Sequence, residues 1–316
     1  MSCFNPIDAW RIEDESKLKF VKPRNEKIII EKLQVPCGHC LGCLLDKANE
    51  WATRCWCEAQ QWKDNCFITL TYDNDHIPEN GQLCKKDLQD FWKRLRYYHK
   101  GKESWENPRT GEIENPIRYY SCGEYGGKTQ RPHYHACVFN WKPNDLKFYK
   151  KNHQGDNLYI SKSLTKIWGK GFVIVGELNY QSACYVARYV TKKIYGQFKK
   201  DYYKNRTEEF TESSRNGGIG IMKWIKEKVK IIKNRGIYIK TKDKVKIKKI
   251  PKYFMKKWKE EEDMEYDWYV FEMTNMAKEN KQKVLEKTSL TESEYNKLLE
   301  KRLIENAKLL RRDNHI

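Results

Sequence analysis

The spacing of apolar residues changes several times along the chain, and each change predicts an element. Leu44, Ala48, Trp51, Ala52, Cys55 and Ala59 fall at helical spacing and predict a helix over 46–63. Cys66–Tyr72 is a short β-branched and aromatic run that predicts a buried strand, closed by a turn at Asp73-Asn-Asp. Lys85–Tyr98 returns to the helical period, with Leu88, Phe91, Trp92 and Leu95 on one face. Ile117–Cys122 and Pro132–Phe139 read as strands joined through Gly126-Gly-Lys-Thr-Gln130, a segment of turn formers. Leu164–Trp168 falls in a short helix, Phe172–Glu177 is a fourth strand, and Ser182–Tyr195 is a helix. The order βαββαβα predicts an α+β fold, a central antiparallel sheet with packed helices.

Outside this region the pattern is weaker. Residues 1–45 read as irregular. After Gly196 the composition shifts, and Asn216-Gly-Gly-Ile-Gly220 is a turn. Gly236–Lys240 and Lys244–Ile250 alternate apolar and basic residues, which predicts an amphipathic hairpin with a lysine face. Residues 255–316 are charge-rich and helical in pattern. The expected organisation is a cysteine-rich segment and helix over 1–63, a core over 64–200, and a basic region over 201–316 that binds DNA or is accessory to it.

The chain has 316 residues, with 62 Lys and Arg against 43 Asp and Glu, a formal net charge of +19. So large a surplus favours a polyanionic partner, nucleic acid before membrane. The 20 tyrosines and 11 tryptophans suit stacking on unpaired bases where they are exposed. No apolar run suits a signal peptide or a membrane span, so the expected setting is a reducing cytoplasm without membrane attachment. There the 11 cysteines point to metal binding or burial before disulfides.

Two segments carry candidate chemistry. His133 and His135 stand two apart on a predicted strand, so their side chains share a face and can approach one divalent ion. Glu124 lies on the preceding strand and offers a carboxylate; a pair of surface histidines would show the same spacing. Tyr185 and Tyr189 stand four apart on a predicted helix, about 6 Å between Cβ atoms, with Lys192 and Lys193 one turn on. Two phenols packed as core would look alike, but adjacent lysines favour phenolate and phosphate chemistry. In Cys37-Gly-His-Cys-Leu-Gly-Cys43 two CxxC units overlap, as in a zinc knuckle, with Cys3 or His39 as fourth ligand. Leu44-Leu-Asp-Lys follows instead of the fourth cysteine of a ferredoxin run, which disfavours an iron–sulfur cluster. Lys223, Lys226, Lys230, Lys240, Lys246, Lys248 and Lys249 are candidate phosphate contacts, and Trp224 and Tyr238 candidate stacking residues. A solvated lysine-rich face accounts for them equally.

Taken together, Phe67-Ile-Thr-Leu-Thr-Tyr72, His133-Tyr-His135 and Tyr185-Val-Ala-Arg-Tyr-Val-Thr-Lys-Lys193 resemble the three motifs of the HUH endonucleases that initiate rolling-circle replication. The similarity is to the Microviridae initiators of gokushovirus type and the related phage gene A protein. Asn216-Gly-Gly-Ile-Gly220 and Ile250-Pro-Lys-Tyr-Phe254 also resemble gokushovirus features. No third histidine stands near the pair, unlike a relaxase. The resemblance implies an HUH-like fold and metal-dependent origin nicking through a 5′-phosphotyrosine, followed by joining through the second tyrosine. It implies Glu124, His133 and His135 as ligands of Mg²⁺ or Mn²⁺, and Tyr185, Tyr189, Lys192 and Lys193 as catalytic residues. Structural Zn²⁺ is expected at Cys3, Cys37, Cys40 and Cys43. Thr69, Thr71, Arg131, Arg188, Lys240 and Lys248 are expected to contact DNA. The implied partners are single-stranded DNA, replicative-form origin DNA, and host helicase and polymerase, in a bacterial host cytoplasm. A two-tyrosine transposase and a non-catalytic zinc-containing single-strand binding protein are the alternatives.

Overall fold

The computed structural model describes residues 3–13, 15, 17–127, 129–188, 199–241 and 244–310. In chain order the elements are β1 (Ile7–Ile12), β2 (Ile29–Val35), α1 (Leu41–Ala59), β3 (Asn65–Thr71), α2 (Lys85–Tyr98), β4 (Trp105–Glu106), β5 (Ile113–Glu114), β6 (Arg118–Tyr125), β7 (Pro132–Phe139), β8 (Lys147–Lys151) and β9 (Asn157–Ile160). There follow α3 (Lys162–Trp168), β10 (Val173–Gly176), α4 (Tyr180–Ala187), α5 (Lys199–Tyr202), β11 (Phe210–Ser213), α6 (Ile221–Lys233), β12 (Ile237–Lys240), β13 (Val245–Lys248), α7 (Lys252–Glu261), α8 (Asp263–Leu285) and α9 (Glu292–Leu310). Contacts divide the chain into two compact units, Ala48–Asp267 and Met1–Lys47 with Trp268–Asp313.

In the larger unit seven strands form one antiparallel sheet, in the order β11-β6-β7-β3-β10-β9-β8. One face of it packs on α2 and α3 through Leu88, Phe91, Trp92, Leu95, Leu164, Ile167 and Trp168. These meet Ile68, Leu70, Tyr134, Ala136, Val138, Val173 and Val175 from the alternate positions of the central strands. Each such buried side chain contributes roughly 1.5–3 kcal/mol. On the opposite face α4 packs over β6 and β7. Trp51 of α1 stacks on Tyr120 of β6 there, ring centroids 4.5 Å apart.

The sheet therefore exceeds the expected βαββαβα arrangement. The hairpin β8–β9 and the edge strand β11 had no legible signal. All five β8 residues are exposed, so their apolar content does not alternate. The first 45 residues are not irregular, because β1 and β2 pair antiparallel from Ile7↔Val35 to Ile12↔Ile29. Trp224 is buried at 1% exposure, stacked on Phe254, so it is core and not a free base-stacking ring. Lys223 pairs with Glu227 one turn on. The hairpin of β12 and β13 forms as expected, with Tyr238, Val245 and Ile247 exposed.

A buried ion pair ties together distant parts of this unit. Arg118 and Glu58 are almost wholly inaccessible, with Arg118 Nε 2.6 Å from Glu58 Oε1. Arg118 also donates to the carbonyls of Asn216, at 2.5 Å, and Gly218, at 2.7 Å. Glu58 accepts from Gly220 N at 2.6 Å and from Trp62 Nε1 at 3.1 Å. The glycine-rich turn is thus the wall of a charge pocket. Gly218 has φ +74, and a Cβ there would stand 2.4 Å from the Tyr253 hydroxyl, which leaves room for glycine alone. Among the described residues no helix is long and apolar enough to cross a membrane.

Candidate active site

The strand register fixes the first three residues. Glu124 of β6 pairs directly with His133 of β7, and Thr69 of β3 pairs with His135. Directly opposed residues in antiparallel strands share a face, so Glu124, His133, His135 and Thr69 all lie opposite the α2–α3 core. Tyr185 comes to the same place from α4, whose start is fixed by a capping box between Asn179 and Ser182.

The polar atoms converge. His133 Nε2 is 3.2 Å and His135 Nε2 3.3 Å from the same carboxylate oxygen, Glu124 Oε1. The Tyr185 hydroxyl is 3.5 Å from that oxygen and 3.4 Å from His135 Nε2. The two imidazole rings stand nearly perpendicular, 4.8 Å apart. Their other nitrogens are held from behind, His133 Nδ1 by the Arg131 carbonyl at 3.1 Å and His135 Nδ1 by Thr69 Oγ1 at 2.9 Å. A carbonyl only accepts, so His133 Nδ1 donates to Arg131 O, and Nε2 is the ring nitrogen that faces Glu124. One nitrogen from each ring and a carboxylate oxygen thus face one another, and with both Nε2 atoms unprotonated a cation would satisfy all three together. Two imidazoles and a carboxylate, oriented by outer partners, form a ligand set suited to a divalent ion.

Burial, with the Glu124 charge beside it, pushes the Tyr185 phenol above its ordinary value. Without added positive charge this phenol stays protonated and is a weak nucleophile. Tyr189, Lys192 and Lys193 lie outside the described residues.

The expected DNA contacts fall in different settings. Thr69 is 2% exposed, and its hydroxyl is bonded to His135 Nδ1 at 2.9 Å. The strand alternation held the signal, because Thr69 shares the histidine face. Thr71 lies on that face next to His133, its hydroxyl donating to the Phe172 carbonyl at 3.0 Å. Arg131 is half-buried and donates to Tyr72 O, at 3.0 Å, and Asn74 Oδ1, also at 3.0 Å. Arg188 ends α4 and donates to the Cys184 carbonyl at 3.2 Å. Lys240 is exposed, and Lys248 stands 5.5 Å over the ring of Tyr180, the first residue of α4.

In the smaller unit Cys3, Cys37, Cys40 and Cys43 bring their sulfurs within 4.8 Å of one another. The Cys40 and Cys3 sulfurs are 3.9 Å apart. Tetrahedral zinc with Zn–S bonds of about 2.3 Å requires sulfurs roughly 3.8 Å apart, so the set has the dimensions of a metal site. His39 turns its Nδ1 to the Cys37 carbonyl at 2.8 Å, and the fourth sulfur of the cluster is that of Cys3. The thiols differ in acidity. Burial acts to raise Cys40, but the Cys43 and Phe4 amides and neighbouring thiols bring it down to about 7. Burial and the adjacent Cys3 and Cys40 push Cys43 up to about 12.

Residues 65–194 match the family described as replication-associated protein ORF2. The chain is 33% identical over 302 residues to replication-associated protein ORF2 of Spiroplasma virus 4, covering 91% of this chain and 88% of that protein. It is 38% identical over 159 residues to replication-associated protein VP4 of Bdellovibrio phage phiMH2K, covering 50% and 48% of the two chains. It is 35% identical over 166 residues to replication-associated protein ORF4 of Chlamydia phage 1, covering 50% and 38%. No solved structure matches the chain at comparable significance. The match to the Spiroplasma virus protein runs nearly end to end, and the family match encloses the carboxylate, both histidines and Tyr185; the chain belongs to the replication-associated proteins of the Microviridae, the replication initiators of these phages.

Proposed function

We propose that the chain starts rolling-circle replication by nicking and rejoining single-stranded DNA at the phage origin. The observation that supports this reading is the meeting of Glu124, His133, His135 and the Tyr185 hydroxyl. Glu124, His133 and His135 would hold Mg²⁺ or Mn²⁺, which when bound polarises a phosphate and neutralises charge on it. The Tyr185 oxygen attacks phosphorus, an O–P bond forms and the bond to the 3′ oxygen breaks. The phenol proton passes to solvent and the departing 3′ oxygen takes one up. The products are a 5′-phosphotyrosine and a free 3′-OH that a host polymerase extends as a host helicase opens the duplex. Tyr189, four residues on, makes the second cut, and the freed 3′-OH attacks the first phosphotyrosine to close the circle. Lys192 and Lys193 favour the phenolate and neutralise charge developing on the phosphate, while Thr69, Thr71, Arg131, Arg188, Lys240 and Lys248 hold the strand. The core over 64–200 carries this chemistry and 201–316 adds basic surface.

The test is incubation with a pool of single-stranded segments covering the phage genome, in Mn²⁺, followed by mass spectrometry for a tyrosine-linked oligonucleotide. The expected result is an adduct on Tyr185 or Tyr189. Tyr185→Phe and Tyr189→Phe should each bind DNA and lose part of the cycle, and the double variant should form no adduct. Binding without any adduct across the whole pool would overturn the reading.

The four clustered thiols are proposed to hold zinc, closing the β1–β2 hairpin onto the first turn of α1. Binding of this kind supplies about 10–16 kcal/mol in small zinc modules. Elemental analysis of the purified chain should find one zinc per molecule, and Cys40→Ser should remove it; metal-free wild-type protein with four titratable thiols would count against the site.

A further inference from the structure

We propose that Tyr149 and Phe172 form a platform on which unpaired bases of the substrate strand stack as it leaves the metal-ligand cluster. The proposal rests on the nicking reading above for the identity of the strand, but its evidence is separate. Phe172 is joined to Thr71 by a reciprocal pair of backbone hydrogen bonds, 3.0 and 3.1 Å, so the two side chains share a face. Thr71 in turn opposes His133. The register thus carries the histidine face outward from β7 through Thr71 to Phe172, about 10 Å over two strand spacings. Gly171 makes the approach feasible, because at φ +143 a Cβ would stand 2.4 Å from both Thr71 O and Asp73 N.

Tyr149 extends the same surface from the edge strand β8. Its ring lies 5.7 Å from Phe172 at 64°, and the two are 47% and 41% exposed. The register sets Phe148 opposite Tyr159 and Val175, on the core side, so alternation turns Tyr149, the next residue, to the other face. Neither ring is needed for the core, which lies behind Val173 and Val175 on the other face. Lys150 Nζ stands 5.6 Å from the Tyr149 ring, and Lys147 and Lys151 are exposed on the same strand. Exposed paired aromatics beside three lysines suit a flexible polyanion with free π faces. That is single-stranded nucleic acid, in which every base can stack whatever its sequence. A protein partner would have no use for three lysines around so small an apolar patch, and duplex DNA offers no free base faces.

The test uses the full chain and a fluorescently labelled oligothymidylate, with binding followed by anisotropy. Tyr149→Ala with Phe172→Ala should weaken binding about 10-fold or more, the loss of at least one stacked base. Tyr149→Phe with Phe172→Tyr should bind as wild type. The slope of affinity with salt should be unchanged in the alanine variant, because no phosphate contact is removed. Lys150→Ala should lower that slope. Thermal unfolding should be unchanged in all of them. Wild-type affinity in the folded alanine variant would overturn the platform, as would an equal loss of affinity for a blunt duplex. The two readings fail separately: tight wild-type binding without a tyrosine adduct would remove the nicking chemistry and leave the platform. An adduct in a protein whose alanine variant binds normally would do the reverse.

Discussion

Alanine in place of His135 is expected to lower phosphotyrosine formation by about 10³-fold while single-strand binding persists. His135 supplies one of three converging candidate ligand atoms and has its other nitrogen bonded to Thr69. Losing a ligand forfeits the several kcal/mol of charge stabilisation that a bound cation contributes, and each 1.36 kcal/mol is about tenfold in rate. Glu124→Ala should have an equal effect, since its Oε1 faces both rings. Thr69→Val keeps the volume and removes only the hydroxyl, so a smaller loss of about 10- to 100-fold in metal affinity or rate is expected. The measurement is adduct yield against Mn²⁺ concentration, beside oligonucleotide binding of each variant. A Thr69→Val variant that regains full rate at high Mn²⁺ would mark Thr69 as orienting. Equal loss of binding and adduct in all three would mean that the residues serve the fold alone.

Arg118→Ala is expected to be among the most destabilising single changes in the larger unit. It would leave Glu58 charged and buried, and would orphan the carbonyls of Asn216 and Gly218. Breaking one partner of a buried pair costs about 3–5 kcal/mol. For a unit of this size that is a melting shift of roughly 10 °C. Glu58→Ala should be comparably harmful, since Gly220 N and Trp62 Nε1 lose their acceptor. The double variant Arg118→Met/Glu58→Leu should be less harmful than the sum of the two, because no lone charge remains. Thermal unfolding followed by circular dichroism checks this; single variants that melt with wild type would show the pair to be dispensable.

Much of the sheet and of the site could be read from local pattern. Period-two alternation over Pro132–Phe139 placed His133 and His135 on one face, and the turn at 126–130 set Glu124 opposite them. The helix Lys85–Tyr98 was legible to its ends because its stripe is clean. Other features depend on distance in three dimensions. The hydrogen bond between Thr69 and His135 was not legible, because alternation gives the face of a residue and not its neighbour across the ladder. The strand β8 was hidden because its residues face solvent on both sides. The partnership of Glu58 and Arg118 spans 60 positions, and nothing near either residue announces the other.

That partnership has a consequence for how the chain is made. During synthesis Arg118 emerges from the ribosome about 100 residues before the glycine turn at 216–220 that completes its pocket. Until then a guanidinium and a carboxylate destined for the interior have only each other and water. The sheet is also short of β11, its edge next to β6. A fragment ending near residue 200 would stay in that unfinished condition, so the larger unit should acquire protease resistance only when translation has passed residue 220.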